Sequence, residues 1–269
     1  MSTQVKFKMH EGGFFSNFNK VITFLYEYER DEPDFPISQI LWDLKGQPFG
    51  AFAYNIDNVF KSVFAEYGCG KTSFNRKVTV SEFTAKAFQT FTGKNAHDLY
   101  VSADQTWREK LNKQYKKFII PGEVTQTYID EIDNKKEFNG KLVSVLKRNQ
   151  LLKCEQRNGL MPRIEKYFEE IDKIFDSDTY LYLCVDNIND LNSFIHRYKR
   201  CIYHPNMRRT GSDTDQEPHF IPHSERDAIN TFVDLYSASK AQHFIHPVSN
   251  MATAALYFNP EMESIYIYE

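Results

Sequence analysis

The chain has 269 residues, of which 41% are hydrophobic and 26% charged, so it has enough apolar side chains to fold around a core. Its 33 basic and 36 acidic residues give a formal charge of -3. Such a balance offers no excess of positive charge for a nucleic-acid backbone, and we expect no nucleic-acid partner. No run of residues approaches the ~18 consecutive apolar positions of a membrane span. Because the first ten residues also lack the apolar centre of a secretory signal, and the four cysteines are scattered, we expect a cytoplasmic protein.

The chain begins with a pattern that is typical of a strand, a glycine turn and a helix. Residues 5–9 alternate between apolar and charged side chains, which predicts a short strand. Gly12 and Gly13 follow, and residues 21–28 then form an apolar helical stretch. Two glycines before a helix present backbone N–H groups at its N-terminus, where an anion or another ligand can bind.

The rest of the chain alternates between strands and helices. In the first half, the hydrophobic pattern predicts a strand at 37–44 and helices at 56–67, 81–92, 103–118 and 123–136. In the second half, it predicts strands at 142–146, 179–185, 201–204 and 243–246, and helices at 160–175, 191–198, 225–240 and 251–258. This alternation indicates an α/β fold with parallel strands. The composition changes near residue 140, which predicts two domains, 1–140 and 141–269.

Basic and polar side chains follow the predicted strands of the second half, where open α/β sheets bind ligands. They are Lys147 and Arg148 after the first strand, Asp186 after the second, Arg208 and Arg209 after the third, and Ser249 and Asn250 after the fourth. Cations supply charge, and N–H groups at the start of the last helix supply geometry. The pattern therefore predicts a site for a nucleoside diphosphate.

A second pattern favours a different chemistry. Asp213-Thr214-Asp215 matches the pair of carboxylates with which one class of glycosyltransferase holds a divalent cation. The pair lies in a polar stretch with no strand before it, so a surface loop is the preferred interpretation. We expect no bound metal and no other cofactor.

Three segments carry a resemblance to a known family. The strand that ends in Lys147-Arg148, the run 232–240 with Asp234, and the turn Ser249-Asn250 follow in the family's order. The segment Gly12-Gly13-Phe14-Phe15-Ser16-Asn17 is similar to a glycine-rich loop of the same family. The chain thus resembles the fucosyltransferases that make α1,6 linkages, including the rhizobial nodulation enzymes. Their signature is His-x-Arg-Arg-Thr-Asp, of which Arg148 matches the second arginine, whereas Lys147 stands at the first.

The resemblance implies a GT-B fold, in which two Rossmann-like domains face each other across the active-site cleft. The N-terminal domain would bind the acceptor, and the C-terminal domain would bind the nucleotide sugar. By position, Lys147 and Arg148 would contact the diphosphate, Ser249 and Asn250 its oxygens, and Asp234 the nucleotide or its loop.

The same resemblance implies roles on the acceptor side and a catalytic base. Gly12, Gly13, Phe14 and Asn17 would form the acceptor-side or donor loop. Glu155 has the spacing from Arg148 that the family's proposed general base has, and a carboxylate suits the removal of a proton from an attacking hydroxyl. Arg157 would keep that carboxylate ionised. Asp186 and Glu11 are alternative bases.

The expected protein is therefore a metal-independent, inverting glycosyltransferase that moves a sugar from a nucleoside-diphosphate sugar to a hydroxyl of a glycan or glycoprotein. Because Lys147 lacks the planar fork of an arginine, the donor could resemble GDP-fucose or UDP-xylose. A xylosyltransferase of the kind that large algal viruses carry would fit the size of the chain. The alternatives are a catalytically inactive nucleotide- or carbohydrate-binding protein and a metal-dependent transferase that uses Asp213 and Asp215.

Overall fold

The computed structural model describes residues 2–8, 14–43, 56–68, 73–80, 105–134, 140–148, 161–211 and 224–268. Within these ranges the strands are β1 (Thr3–Phe7), β2 (Ile37–Trp42), β3 (Arg76–Val80), β4 (Lys141–Lys147), β5 (Thr179–Val185), β6 (Cys201–Ile202), β7 (His243–His246) and β8 (Glu263–Tyr266). The helices are α1 (Phe14–Asp31), α2 (Val59–Ser62), α3 (Gln105–Phe118), α4 (Glu123–Asn134), α5 (Ile164–Asp172), α6 (Ile188–Arg197), α7 (Glu225–Ala238) and α8 (Asn250–Phe258). No helix in the described ranges combines the length and apolar character of a membrane span.

The strands form two parallel sheets, one on each side of residue 140. The N-terminal sheet has the order β2-β1-β3, and the C-terminal sheet has the order β6-β5-β4-β7-β8. In the second sheet the chain builds outward from β4 in one direction and then returns to build outward in the other. This is a doubly wound arrangement, as the alternation of predicted strands and helices indicates.

Both faces of the C-terminal sheet are covered, because alternate residues of its central strands point to opposite sides. Val143 and Val145 belong to a core with residues of α5 and α6, such as Ile171 and Phe194. Leu142, Leu146 and Phe244 belong to another core, which also contains residues of α7 and α8. Strands that are buried on both faces are nearly continuous in apolar residues, and this is why 142–146 and 179–185 were readable from the sequence.

The second of these cores continues into the N-terminal half through aromatic side chains. The ring of Phe64 lies 4.8 Å from that of Phe232, and the ring of Phe18 lies 6.2 Å from it. Tyr115 of α3 contacts Phe258 of α8 at 4.4 Å between ring centres. Part of the chain's 23 Phe and 16 Tyr thus joins its two halves. The domain boundary near residue 140 stays a prediction.

The predicted helix at 56–67 is wrong in extent. Asn58 caps a single helical turn, α2, by accepting a hydrogen bond from the N–H of Phe60 at 3.2 Å. The chain then leaves the helix because the segment after α3 competes for its backbone: the N–H of Ala65 donates to the carbonyl of Ile120 at 2.7 Å, and that of Gly122 donates to Val63 at 3.1 Å.

The other predicted elements that lie in the described residues are confirmed, with ends that differ by a few residues, except at the start of the first helix. The first helix, α1, begins at Phe14 rather than at residue 21, immediately after the glycine segment. Strands β3 and β8 were not predicted, since their short sequences, RKVTV and ESIY, contain few apolar residues. The predicted helix at 81–92 lies outside the described residues.

Candidate active site at the carboxyl edge of the C-terminal sheet

The carboxyl ends of β4 and β7 lie side by side, at the point where the strand order reverses. Val145 pairs with Ile245, so Lys147 and the turn that follows His246 leave the sheet at the same edge. On the other side of β4, Lys147 pairs with Val185, the last residue of β5. Doubly wound sheets bind ligands in the crevice at such a reversal. Residues 147–148 and 247–250 therefore meet at the edge where the sequence predicts a diphosphate site.

Lys147 is buried and already has an anionic partner. Its Nζ atom lies 2.8 Å from Oδ2 of Asp190, in the first turn of α6, and the Lys147 side chain is 7% exposed. The ammonium also lies 5.8 Å from the ring centre of Tyr167, whose hydroxyl pKa is raised well above its ordinary value by burial. This buried ion pair connects the end of β4 to the start of α6. The position of the family's first arginine is thus occupied by an internal ion pair.

Arg148, the next residue, lies nearer the surface of the same edge. Its Nε atom is 3.1 Å from Oδ2 of Asp186, and the two side chains are 17% and 12% exposed. The pair links the ends of β4 and β5. It places a planar cation beside a carboxylate at the carboxyl edge of the sheet, and both side chains are partly exposed.

The two arginines of the second basic pair, Arg208 and Arg209, make different contacts. The guanidinium of Arg209 donates to three backbone carbonyls, those of Val185 at 3.0 Å, Met207 at 3.2 Å and His204 at 2.9 Å. It therefore fixes the loop after β6 to the end of β5. Arg208 is 39% exposed and has a looser contact, 3.4 Å from its Nη2 to Asp227 in the first turn of α7. Of the two, Arg208 is the one with a side chain accessible to a ligand.

The turn between β7 and α8 is held in a defined shape. Ser249 caps α8, since its Oγ accepts a hydrogen bond from the N–H of Met251 at 3.1 Å. His246 contacts the carbonyl of Pro247 through Nδ1 at 3.0 Å and Oγ of Ser264 through Nε2 at 2.7 Å. Burial lowers the pKa of His246 to about 4, so this ring is neutral at pH 7 and donates from Nδ1. The turn that leads into α8 is thus held by hydrogen bonds of His246 and Ser249, and the N-terminus of α8 follows directly after it.

Asp234 is buried, and its predicted role toward the nucleotide stays a prediction. Its side chain is in the middle of α7 and accepts a hydrogen bond from the hydroxyl of Tyr182 at 3.0 Å, while its backbone carbonyl accepts one from the thiol of Cys184 at 3.6 Å. Burial raises the pKa of Asp234 to about 6, against the opposing influence of Arg209 and other neighbours. In this structure the carboxyl group supports the packing of α7 against β5.

On the N-terminal side, Phe14 and Asn17 lie in the first turns of α1 and are both buried. The ring of Phe14 packs against that of Trp42 at 5.6 Å between centres. Asn250 of the C-terminal turn is in contact with the same helix, because its carbonyl accepts a hydrogen bond from Asn19 at 2.9 Å. The starts of α1 and α8, which the sequence analysis treated as separate segments, are thus joined.

Several predicted residues cannot be placed, since they lie outside the described residues: Gly12, Gly13, Glu11, Glu155, Arg157, Asp213 and Asp215. Among the residues that are described, no three His, Cys, Asp or Glu side chains cluster as a metal site would require. The role of Glu155 and the metal-dependent alternative both stay predictions.

The residues that orient the predicted site are not among those that the sequence pattern indicated. Asp190 lies four positions after Asp186 in the same polar run, and its spacing on a helix start could have indicated a partner for Lys147. Asn187 caps α6 by accepting from the N–H of Asn189 at 2.8 Å, and it donates to Thr210 at 3.2 Å. A cap residue after a strand is a recognisable signal, whereas the contact between Asn19 and Asn250 has no local signature.

Comparison with known proteins identifies the fold. No protein-family model and no curated protein sequence matches the chain. The NodZ α-1,6-fucosyltransferase soaked with GDP-fucose aligns over 97% of this chain and 94% of its own, with 11% identity and a TM-score of 0.53. NodZ from Bradyrhizobium aligns over 95% and 92%, with 12% identity and a TM-score of 0.52. NodZ co-crystallised with GDP aligns over 95% of this chain and 91% of its own, with 11% identity and a TM-score of 0.52. The protein therefore has a GT-B-like α/β fold that is similar to that of the NodZ fucosyltransferases.

Proposed function

We propose that the protein is a glycosyltransferase that moves a sugar from a nucleoside-diphosphate sugar to a hydroxyl of a glycan. The observation that carries the proposal is that Arg148 and the turn that begins α8 follow the carboxyl ends of two adjacent parallel strands, β4 and β7. A guanidinium and a helix N-terminus at the same edge of a sheet are complementary to a diphosphate in charge and in hydrogen-bonding capacity. The likeness of the fold to that of a fucosyltransferase soaked with GDP-fucose supports this assignment.

In the proposed reaction, these groups stabilise the diphosphate as the bond to the sugar breaks. Negative charge grows on the leaving oxygen, and Arg148 together with the first N–H groups of α8 can compensate it without an added cation. The acceptor hydroxyl attacks the anomeric carbon in one displacement, which inverts the configuration there, and a carboxylate takes its proton. Glu155 is the proposed base. Of the two alternative bases, Glu11 and Asp186, the second is already engaged by Arg148 at 3.1 Å.

A second candidate function is a binding protein that keeps the fold without the reaction. The enclosure of Lys147 favours it, because an ammonium paired with Asp190 at 2.8 Å contributes less to a phosphate than a free guanidinium. Hydrolysis of the donor without an acceptor separates the two candidates, since a binder releases no free sugar. Activity that survives EDTA would remove the transferase based on Asp213 and Asp215.

The proposal is tested by a thermal-shift screen against GDP, UDP, GDP-fucose and UDP-xylose, followed by transfer assays. A ligand that binds the native state raises its melting temperature. Replacing Arg148 with alanine should lower transfer by about a hundredfold or more, as the loss of a charge-stabilising donor does. Arg197→Ala is the matched control. Arg197 is the last residue of α6, it pairs with Asp172 of α5, and its side chain is half-exposed. If Arg148→Ala transfers sugar as fast as Arg197→Ala, the assignment of the phosphate contact is wrong.

A further inference from the structure

We propose that Asn19 is a positioning residue that sets the place of the donor-binding turn at Ser249 and Asn250. It lies on α1, in the N-terminal half, yet it binds the backbone of the first residue of α8. The inference rests on the proposed function, because it concerns the same diphosphate site. Asn19 belongs neither to the basic pairs nor to the segments that carry the resemblance.

The side-chain amide of Asn19 has one orientation that satisfies its neighbours. Its Nδ2 donates to the carbonyl of Asn250 at 2.9 Å, and its Oδ1 accepts from the hydroxyl of Tyr115 at 3.1 Å. A carbonyl can only accept, so the nitrogen must face Asn250, and Tyr115 then donates to the oxygen. Asn19 is 3% exposed and Tyr115 is fully buried. A buried amide with both ends engaged has little freedom to rotate.

The contact matters because of where it lies on α8. Asn250 is the first residue of the helix, and the N–H groups of this turn are the ones that the proposed site uses. On the other side, His246 fixes Pro247 from within the C-terminal sheet. Asn19 thus connects this turn to α1, whose start follows the glycine-rich segment. A shift of the turn by a fraction of an ångström would weaken each charge-assisted hydrogen bond to the diphosphate.

A similar contact, from a buried asparagine amide to backbone carbonyls, at the other end of α8 provides the control. Asn112 of α3 is also buried, and its Nδ2 donates to the carbonyls of Tyr257 at 2.8 Å and Phe258 at 2.7 Å. Both asparagines therefore join the N-terminal half to α8 by bonds to its backbone. A purely structural role predicts the same behaviour for both, whereas a positioning role predicts an effect on the donor for Asn19 alone.

The experiment compares Asn19→Leu with Asn112→Leu in the full-length protein. Both variants should lower the melting temperature to a similar extent, because each leaves backbone or hydroxyl groups without a buried partner. Titration calorimetry with GDP and UDP should show about a tenfold weaker affinity for Asn19→Leu and wild-type affinity for Asn112→Leu. Hydrogen exchange should accelerate at the first turn of α8 in Asn19→Leu, and at its last turn in Asn112→Leu.

A second variant, which removes a single atom, keeps the test valid if Asn19→Leu does not fold. Tyr115→Phe removes only the hydroxyl that orients Asn19, and we expect it to weaken nucleotide binding about threefold. The inference is overturned if the wild type binds a nucleotide and the variants at residues 19 and 115 bind it as tightly as Asn112→Leu does. If the wild type binds neither GDP nor UDP, the proposed function falls, and the role of Asn19 at that site falls with it.

Discussion

Replacing Asp234 tests how much the burial of an ionised carboxylate costs the stability of the C-terminal half. The carboxyl group is completely buried and accepts a hydrogen bond from Tyr182 at 3.0 Å. An asparagine at this position keeps the shape and the acceptor oxygen but removes the ionisation. The variant Asp234→Asn therefore isolates the cost of the charge from the contribution of the hydrogen bond.

The magnitude follows from the displaced pKa. Burial raises the pKa of Asp234 from 3.8 to about 6 in the folded protein. Each unit corresponds to about 1.4 kcal/mol, so the shift amounts to about 3 kcal/mol. Because the folded state holds the proton more tightly than the unfolded state, this stability is present below pH 3.8 and is lost as the pH rises through about 6. At pH 8, Asp234→Asn should thus be more stable than the wild type by up to about 3 kcal/mol.

For a chain of 269 residues, this difference corresponds to a rise of about 5 °C in the melting temperature, at ~2 cal/mol/K of unfolding entropy per residue. The assay is urea unfolding of both proteins at pH 4 and pH 8, with Asp130→Asn as the control, since Asp130 is exposed on α4. The gain should appear at pH 8 and shrink toward pH 4. If the stability gain of Asp234→Asn instead grew toward low pH, Arg209 and Arg148 would lower the pKa of Asp234 more than burial raises it. That result would refute the reasoning.

Two further predictions concern packing and charge. Lys147→Met leaves Asp190 without its cation and should cost about 3 kcal/mol, whereas Lys147→Met with Asp190→Leu should recover most of the loss; in urea unfolding, additive losses would contradict a coupled pair. Gly68→Ala should lower the unfolding midpoint clearly, because Gly68 has φ +78° and a Cβ there would lie 1.7 Å from the carbonyl oxygen of Ser38. Gly211→Ala, where a Cβ meets no atom within 4 Å, is its control, and equal midpoints would disprove the argument.

The elements that could be predicted are those whose pattern depends on burial alone. The strand at 179–185 was predicted with its observed bounds, since seven apolar or small residues in succession are typical of a strand covered on both faces. The residues at 56–67 have an equally clear helical pattern, yet only Val59–Ser62 is helical. There, hydrogen bonds with residues 120–122 decide the conformation, and these are distant in sequence.

The same division holds for the site. That Lys147, Arg148 and Ser249 would share one edge followed from their positions after predicted strands, because parallel strands end together. Which of the cations would face a ligand could not be predicted, because this depends on the partners that other elements supply. The first turn of α6 provides Asp190 for Lys147. The resemblance likewise selected Asp234 by its order in the chain, but its hydrogen bond with Tyr182 of β5 could not be predicted, and its role toward a nucleotide stays a prediction.

The partners of these cations bear on how a diphosphate would be held. Lys147 faces Asp190, Arg209 is bound to three carbonyls, and Arg148 lies 3.1 Å from Asp186. A diphosphate that enters the crevice must therefore compete with Asp186 for Arg148. Its greater negative charge and its paired oxygens favour the exchange, since a guanidinium binds such a group through two parallel hydrogen bonds. In the proposed reaction, the carboxylate of Asp186 would pair with Arg148 again as the diphosphate leaves, and this would lower the cost of releasing that product.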